Sequence, residues 1–293
     1  LTRARDWVGV SRHEKVTTKS AGDSPFFQDL QSFGLESPAD SVIPSPVETR
    51  PASGDTLTIS FSEIAAFMEC GHAYRLRQRL GFPVRFAAEL GYGKAVHHVL
   101  RTVAEQVKST GRIPKAADID RILNESFFLP AANKVGHREM KDAARELINT
   151  YVTKHKADLS RIWETERPFE LRLDGVNIVG RADVILDQEG GVPTGLAIVD
   201  YKTSTKKDLA DHDLQLQVYA IAGQREQLDV RGAYVHDLKV ANRTAVSISV
   251  KSLKDAEATV MQAATEIKTR QFTAKPGARC RSCEVRTVCG SAK

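Results

Sequence analysis

An α/β domain, with a mixed sheet flanked by helices, is what this sequence predicts. Three observations predict it. Apolar residues recur at helical spacing over the first half of the ordered region. The period then switches to strict alternation in "FELRLDGVNIVGRADVILDQ", around the turn signal Asp174-Gly175. Finally, "GLAIVDYKTST" (195–205) is a nearly continuous β-forming run, as expected of a strand covered on both faces. With 293 residues, 41% of them hydrophobic, the chain can bury a sizeable core.

The elements follow in order. Residues 1–55 are rich in Pro, Ser, Gly and Asp after Leu35 and read as a disordered linker from 13 to 55. Order begins at "LTISFSEIAAFMECGHAYRLRQRLGF", where Ser60 or Ser62 caps a helix with Glu63 in its first turn; Cys70 falls inside that helix. Further helices are expected at about 89–108, 116–128 and 137–158. Antiparallel strands follow at about 166–173 and 176–187, then a third in "TGLAIVDYKT". A helix in "DHDLQLQVYAIAGQRE" sets Leu214, Val218 and Ile221 on one face. Strands in "RGAYVHDL" and "TAVSISV" and a helix over 252–270 complete the set. Helices, three strands, a helix, strands and a helix make a sheet covered by helices.

No apolar run reaches the ~18 residues of a membrane span. The opening "LTRARDWVGV" lacks the apolar core of a signal peptide, so a cytoplasmic protein with no membrane attachment is the expectation. Net charge is +5, and the excess is local: residues 270–293 hold six basic side chains and one acidic. That suits a polyanion such as nucleic acid, and equally a solvated tail.

Asp200 and Lys202 stand at positions i and i+2 of a strand and so share a face, with Tyr201 turned away. By itself this pattern is a strand-end ion pair. Asp183, in the preceding strand, changes the reading: if the strands pair, both carboxylates meet at one end of the sheet. Two carboxylates and a lysine suit a hard divalent cation, Mg²⁺ or Mn²⁺, and phosphodiester hydrolysis. The four cysteines (Cys70, Cys280, Cys283, Cys289) include a C-x2-C-x5-C triplet. In a reducing compartment such spacing points to a thiolate-bound metal rather than to disulfides.

Asp183 followed by Asp200-Tyr201-Lys202 resembles the signature of the PD-(D/E)xK nucleases. Gly93-x-x-x-His97 upstream and Gln215-x-x-x-Tyr219 downstream are similar to the flanking elements of the RecB-like branch, in the same order. The resemblance implies a restriction-endonuclease-like central mixed sheet over residues 56–293, with an N-terminal helical insertion. It implies a metal held by His97, Asp183, Asp200 and the Tyr201 backbone carbonyl. Lys202 would position the attacking water, and Gln215 and Tyr219 would line the site against the nucleic-acid backbone. Without the family, His97 is an ordinary helical histidine, Tyr219 fits a core and Gln215 a solvent face. His98 is assigned to the surface or to packing. Lys206 and Lys207 could meet phosphates.

The cysteine pattern is similar to that of iron–sulfur nucleases of the AddB and CRISPR-adaptation kinds. There a 4Fe–4S cluster staples the C-terminus to an early helix; zinc is the alternative. Gly71 departs from the proline common after the first cysteine. "LTRARDWVGVS" resembles the last motif of UvrD/Rep-type helicases, which makes residues 1–12 a helicase remnant with Arg3 as its γ-phosphate arginine. The implied whole is a DNA exonuclease acting on single strands in double-strand-break repair, fused to or partnered by a helicase. A catalytically inactive nucleic-acid-binding module is the other reading.

Overall fold

The structure is a computed structural model, and it describes residues 15–16, 19–20, 22–23, 25–32, 56–82, 90–187, 195–203 and 209–292. The chain divides into two units, Leu1–Arg50 and Pro51–Lys293. Within the first, Lys15–Val16 pairs antiparallel with Lys19–Ser20, and Pro25–Ser32 forms a helix inside the span expected to be linker. The helicase-like motif with Arg3 lies outside the described residues, as do Lys206 and Lys207.

The second unit opens with strand β1 (Leu57–Ser60), which sequence reasoning missed, and helix α1 (Phe61–Glu69). Ser60 caps α1 in a reciprocal capping box with Glu63, satisfying two otherwise orphaned amides. Cys70 does not continue α1 as expected: its φ of −164° is extended, and the chain restarts as α2 (Gly71–Tyr74) and a π-helical turn, Arg75–Arg79. Helices α3 (Tyr92–Thr110), α4 (Ala116–Ser126), α5 (Lys134–Lys154) and the short α6 (Lys156–Leu159) follow. Then come β2 (Ile162–Leu173), β3 (Val176–Asp187), β4 (Leu196–Lys202), α7 (Leu209–Arg225), β5 (Val230–Asp237), β6 (Asn242–Ala245) and α8 (Val250–Lys268). The strand expected over "TAVSISV" is displaced: β6 ends at Ala245, and Ser249 caps α8 through its hydroxyl.

These strands build one mixed sheet of six. Strand β2 runs along one edge of β3 for nearly its whole length. The other edge is shared: β1 pairs parallel with Val176–Val179, and β4 pairs antiparallel with Val184–Asp187. Residues 180–183 therefore lie in a fork, without a ladder partner on that side. Strand β4 then pairs parallel with β5, and β5 antiparallel with β6.

Two cores sandwich the sheet. Ile185 and Ile198 face α1, α7 and α8, whereas Val184, Val199 and Tyr201 face α3, α4 and α5. Residues 196–201 of β4 are buried throughout, which explains the unbroken apolar run in the sequence. Among the described residues no helix is long and apolar enough to cross a membrane.

Candidate active site at the fork of the sheet

The register Val184↔Val199, continued one step past the last paired residues, sets Asp183 across from Asp200. Asp200 and Lys202 belong to the face of Ile198, which packs against α7, whereas Asp183 turns one carboxylate oxygen to His97 of α3. Sheet topology thus brings together the three residues the sequence singled out, at the point where β4 leaves β3.

Each is tied down. Asp183 accepts the Tyr201 amide through Oδ2 at 2.7 Å, and its Oδ1 is 3.1 Å from His97 Nδ1. Asp200 is 5% exposed. Lys202 Nζ lies 2.7 Å from Asp200 Oδ2 as an ion pair, and among the described residues this buried oxygen has no other partner. Burial and the nearby charge of Asp183 push the Asp200 carboxyl up to about 6, against the opposing pull of Lys202. For His97, burial disfavours the charged form. The hydrogen bond and charge of Asp183 outweigh it, so its pKa is raised.

Lys202 Nζ also stands 3.4 Å from Gln215 Oε1, and Gln215 Nε2 donates to Tyr219 Oη at 3.1 Å. Tyr219 Oη in turn accepts the amide of Arg181 at 3.2 Å, one of the groups the fork leaves without a strand partner. The side chain of Tyr219 fits there because residue 180 is glycine: a Cβ at Gly180 would lie 2.3 Å from the Tyr219 ring. The spacing Gln215-x-x-x-Tyr219 is one helical turn, and that turn carries the relay from Lys202 to the backbone of β3.

On the opposite face, Tyr201 Oη and Tyr151 Oη are 2.6 Å apart in a fully buried contact. Burial raises both phenols, that of Tyr151 to about 12. His98 is exposed and hydrogen-bonds Arg101, as its neighbour position on α3 requires.

Among the described residues, no three His, Cys, Asp or Glu groups stand close enough to hold a metal ion as arranged. The chemistry of the donors at the fork nonetheless fits a hard cation: two carboxylates, an imidazole, and a buried Asp200 oxygen that makes no hydrogen bond among the described residues.

The cysteines form a second locus. The segment after α8 returns to α1 and α2: His72 N donates to Thr273 O at 3.2 Å, Lys275 Nζ to Met68 O at 2.7 Å, and Arg279 pairs with Glu69 at 3.2 Å. Cys70, Cys280 and Cys283 line one cavity of about 210 Å³; Cys289 is not part of its wall. Backbone amides approach two of the sulfurs, Lys275 N to Cys70 Sγ at 3.5 Å and Gly277 N to Cys280 Sγ at 3.4 Å. Gly71 now has a reason: a Cβ there would press on the Thr273 backbone at 3.1 Å.

Residues 58–290 match the family model of the PD-(D/E)XK nuclease superfamily. No curated protein matches the chain. Among solved structures, a protein of Eubacterium rectale described as a candidate exonuclease is similar at 15% identity, over 85% of this chain and 93% of that one, with a TM-score of 0.49. A protein called SSO0001 is similar at 15% identity over 79% and 96%, with a TM-score of 0.35.

Proposed function

The chain belongs to the PD-(D/E)XK nuclease superfamily, and from that premise we propose that it is a divalent-metal-dependent deoxyribonuclease that hydrolyses phosphodiester bonds at the fork of its sheet. The observation that supports this most is the convergence of Asp183, Asp200 and Lys202, with a buried Asp200 oxygen whose one neighbour among the described residues is the Lys202 ammonium. Single-stranded DNA, exonucleolytic cutting and a role in break repair beside a helicase extend the same reading.

His97, Asp183, Asp200 and the Tyr201 carbonyl would hold Mg²⁺ or Mn²⁺. When bound, the cation supplies charge to the phosphate and acidifies water. Lys202 is placed to orient the attacking water and to offset charge as it builds on the phosphate. Asp200 holds that ammonium at 2.7 Å, and Gln215 fixes it from the other side. Tyr219 anchors Gln215 to β3, so the lysine reports the position of the strand carrying Asp183. Intact carboxylates and lysine disfavour the inactive-module reading.

The cysteines fit a structural 4Fe–4S cluster, with zinc as the alternative. Cys70 and, 210 or more residues later, Cys280 and Cys283 line one cavity, and two of their sulfurs receive backbone N–H groups, the usual supplement to sulfur ligands. Visible absorbance and metal content of anaerobically purified protein decide it; a colourless protein carrying one zinc rules out the cluster.

Cleavage of end-labelled single-stranded DNA with Mn²⁺, with EDTA, and by Asp200→Ala tests the main reading. Metal-dependent cutting that vanishes in the variant is expected. Equal cutting by the variant, or none by the wild type, removes it.

A further inference from the structure

Two residues beside the site belong to no part of the family pattern. Arg181 lies two positions before Asp183 on β3, about 6.6 Å along the strand, with its guanidinium beside Glu166, which lines a cavity together with Asp183 and His97. It falls inside the fork, where neither β1 nor β4 covers it. Its amide is pinned by Tyr219 Oη at 3.2 Å, while its side chain is 58% exposed. Among the described residues the guanidinium makes no hydrogen bond; its charged neighbour is Glu166, with Nη1 and Oε2 3.7 Å apart.

Glu166 is itself unusual. The pairs Thr165↔Val184 and Arg167↔Ala182 put it opposite Asp183. Regular strand backbone there would set two carboxylates side by side across the ladder, which repel. Instead Glu166 has a φ of 52°, the left-handed region that a non-glycine residue enters only at a cost. The turn drops it from the ladder. Its carboxylate lines a small cavity with His97, Arg101 and Asp183 while remaining beside Arg181. A glycine would adopt this backbone without strain, so the side chain is kept against the conformational preference.

We propose that Arg181 is a phosphate-binding residue of the substrate groove, and that Glu166 is the positioning residue that aims it. The inference rests on the nuclease reading and adds to it: the strand being cut runs along β3, with the phosphate next to the scissile one on Arg181. A planar guanidinium with free N–H donors suits two oxygens of one phosphate. A fixed main chain beneath an exposed head gives it reach at a defined origin.

The test measures binding of a short fluorescent single-stranded oligonucleotide in EDTA across a salt series, and steady-state cleavage in Mn²⁺. Arg181→Ala is expected to weaken binding about tenfold and to flatten the slope of log K against log salt by about 0.7, the share of one phosphate contact on a single strand. KM rises by a similar factor, with a smaller fall in kcat; Arg181→Lys keeps the salt slope. Glu166→Gly is expected to melt at a higher temperature than the wild type, because the strain is relieved, yet to show the raised KM. Unchanged affinity and slope in Arg181→Ala, with an active wild type, overturn the inference and leave the nuclease reading standing. A more stable Glu166→Gly with wild-type KM overturns the positioning role. A wild type that neither binds nor cuts DNA overturns both readings.

Discussion

The fork of the sheet and the cysteine locus are built on opposite plans. At the fork every candidate side chain springs from a strand or long helix packed into one of the two cores, and most are held by a further hydrogen bond. The cysteine segment is two short 3₁₀ turns, Ala278–Ser282 and Arg286–Val288, with no buried residue in either; Val285 between them is its one deep anchor. Its other ties are partly exposed ion pairs such as Arg77–Glu284 at 3.1 Å, each worth about 0–1 kcal/mol. The fork is preorganised by the fold. The C-terminal turns have little core of their own, so the proposed ligand between Cys70 and the triplet would supply what the core does not.

The largest effect that can break this contrast is at the fork. Asp200→Ala should lower cleavage by about 10³-fold or more, since the residues there act as a unit. Its thermal stability in EDTA should hold or rise, because the variant removes a buried carboxylate pushed up to about 6. A Tm that collapses in Asp200→Ala would mean that the acid is structural.

Cys283→Ser should do the reverse. Losing a staple that closes a loop of some 200 residues should cost roughly 2–4 kcal/mol, by analogy with other long cross-links, and open the C-terminal turns to proteolysis. Cleavage per folded molecule should fall less than tenfold. Limited proteolysis followed by mass spectrometry checks it, and an unchanged digestion pattern would show that the turns stand without the staple.

How far these two regions could be read in advance differs for the same reason. Asp183, Asp200 and Lys202 were legible because strand period and a turn at Asp174-Gly175 are local signals, whereas His97, Gln215 and Tyr219 stood out only through the resemblance to a family, since one helical histidine, glutamine or tyrosine carries no signal of its own. The parallel strand β1 was not legible: its four residues, "LTIS", merge into the capping signal of α1. The fork that β1 creates was therefore invisible. Glu166 was hidden as well, because a positive φ in mid-strand leaves no trace in composition. Cys70 was drawn into a helix by its apolar neighbours, although the chain must break there for Gly71 to meet Thr273.

The rear wall of the fork gives a smaller, pH-dependent effect. His236 is fully buried, flanked by Tyr151, His155 and Tyr201, and faces Arg243 and Asp158; among the described residues neither ring nitrogen has a hydrogen-bond partner. Burial, with the charges of Arg243 and His155, lowers its pKa from 6.5 to about 4. The unfolded chain therefore takes up a proton near pH 6.5 that the native state refuses. The stability concerned is complete above that pH and lost as pH falls toward 4, on the order of 2–3 kcal/mol. Urea melts at pH 7.5 and 4.5 measure it, and His236→Phe should flatten the difference. The cysteine turns hold no histidine, so their proteolysis should not follow this pH dependence.

The finest test compares the two tyrosines on opposite faces of β3 and β4. Tyr219→Phe removes the oxygen that joins Gln215 to the Arg181 amide, leaving that fork amide without its acceptor. Tyr151→Phe removes the partner of Tyr201 Oη, at 2.6 Å and fully buried. Both should cost stability by about 1–2 kcal/mol, the penalty for one unmade buried hydrogen bond. They should separate in catalysis. Tyr219→Phe loosens Gln215 and through it Lys202, so kcat should fall about tenfold, whereas Tyr151→Phe stands behind the strand and should leave kcat within about twofold. Equal kcat values would mean that the relay through Gln215 only holds the fold, and that Lys202 is set by Asp200 alone.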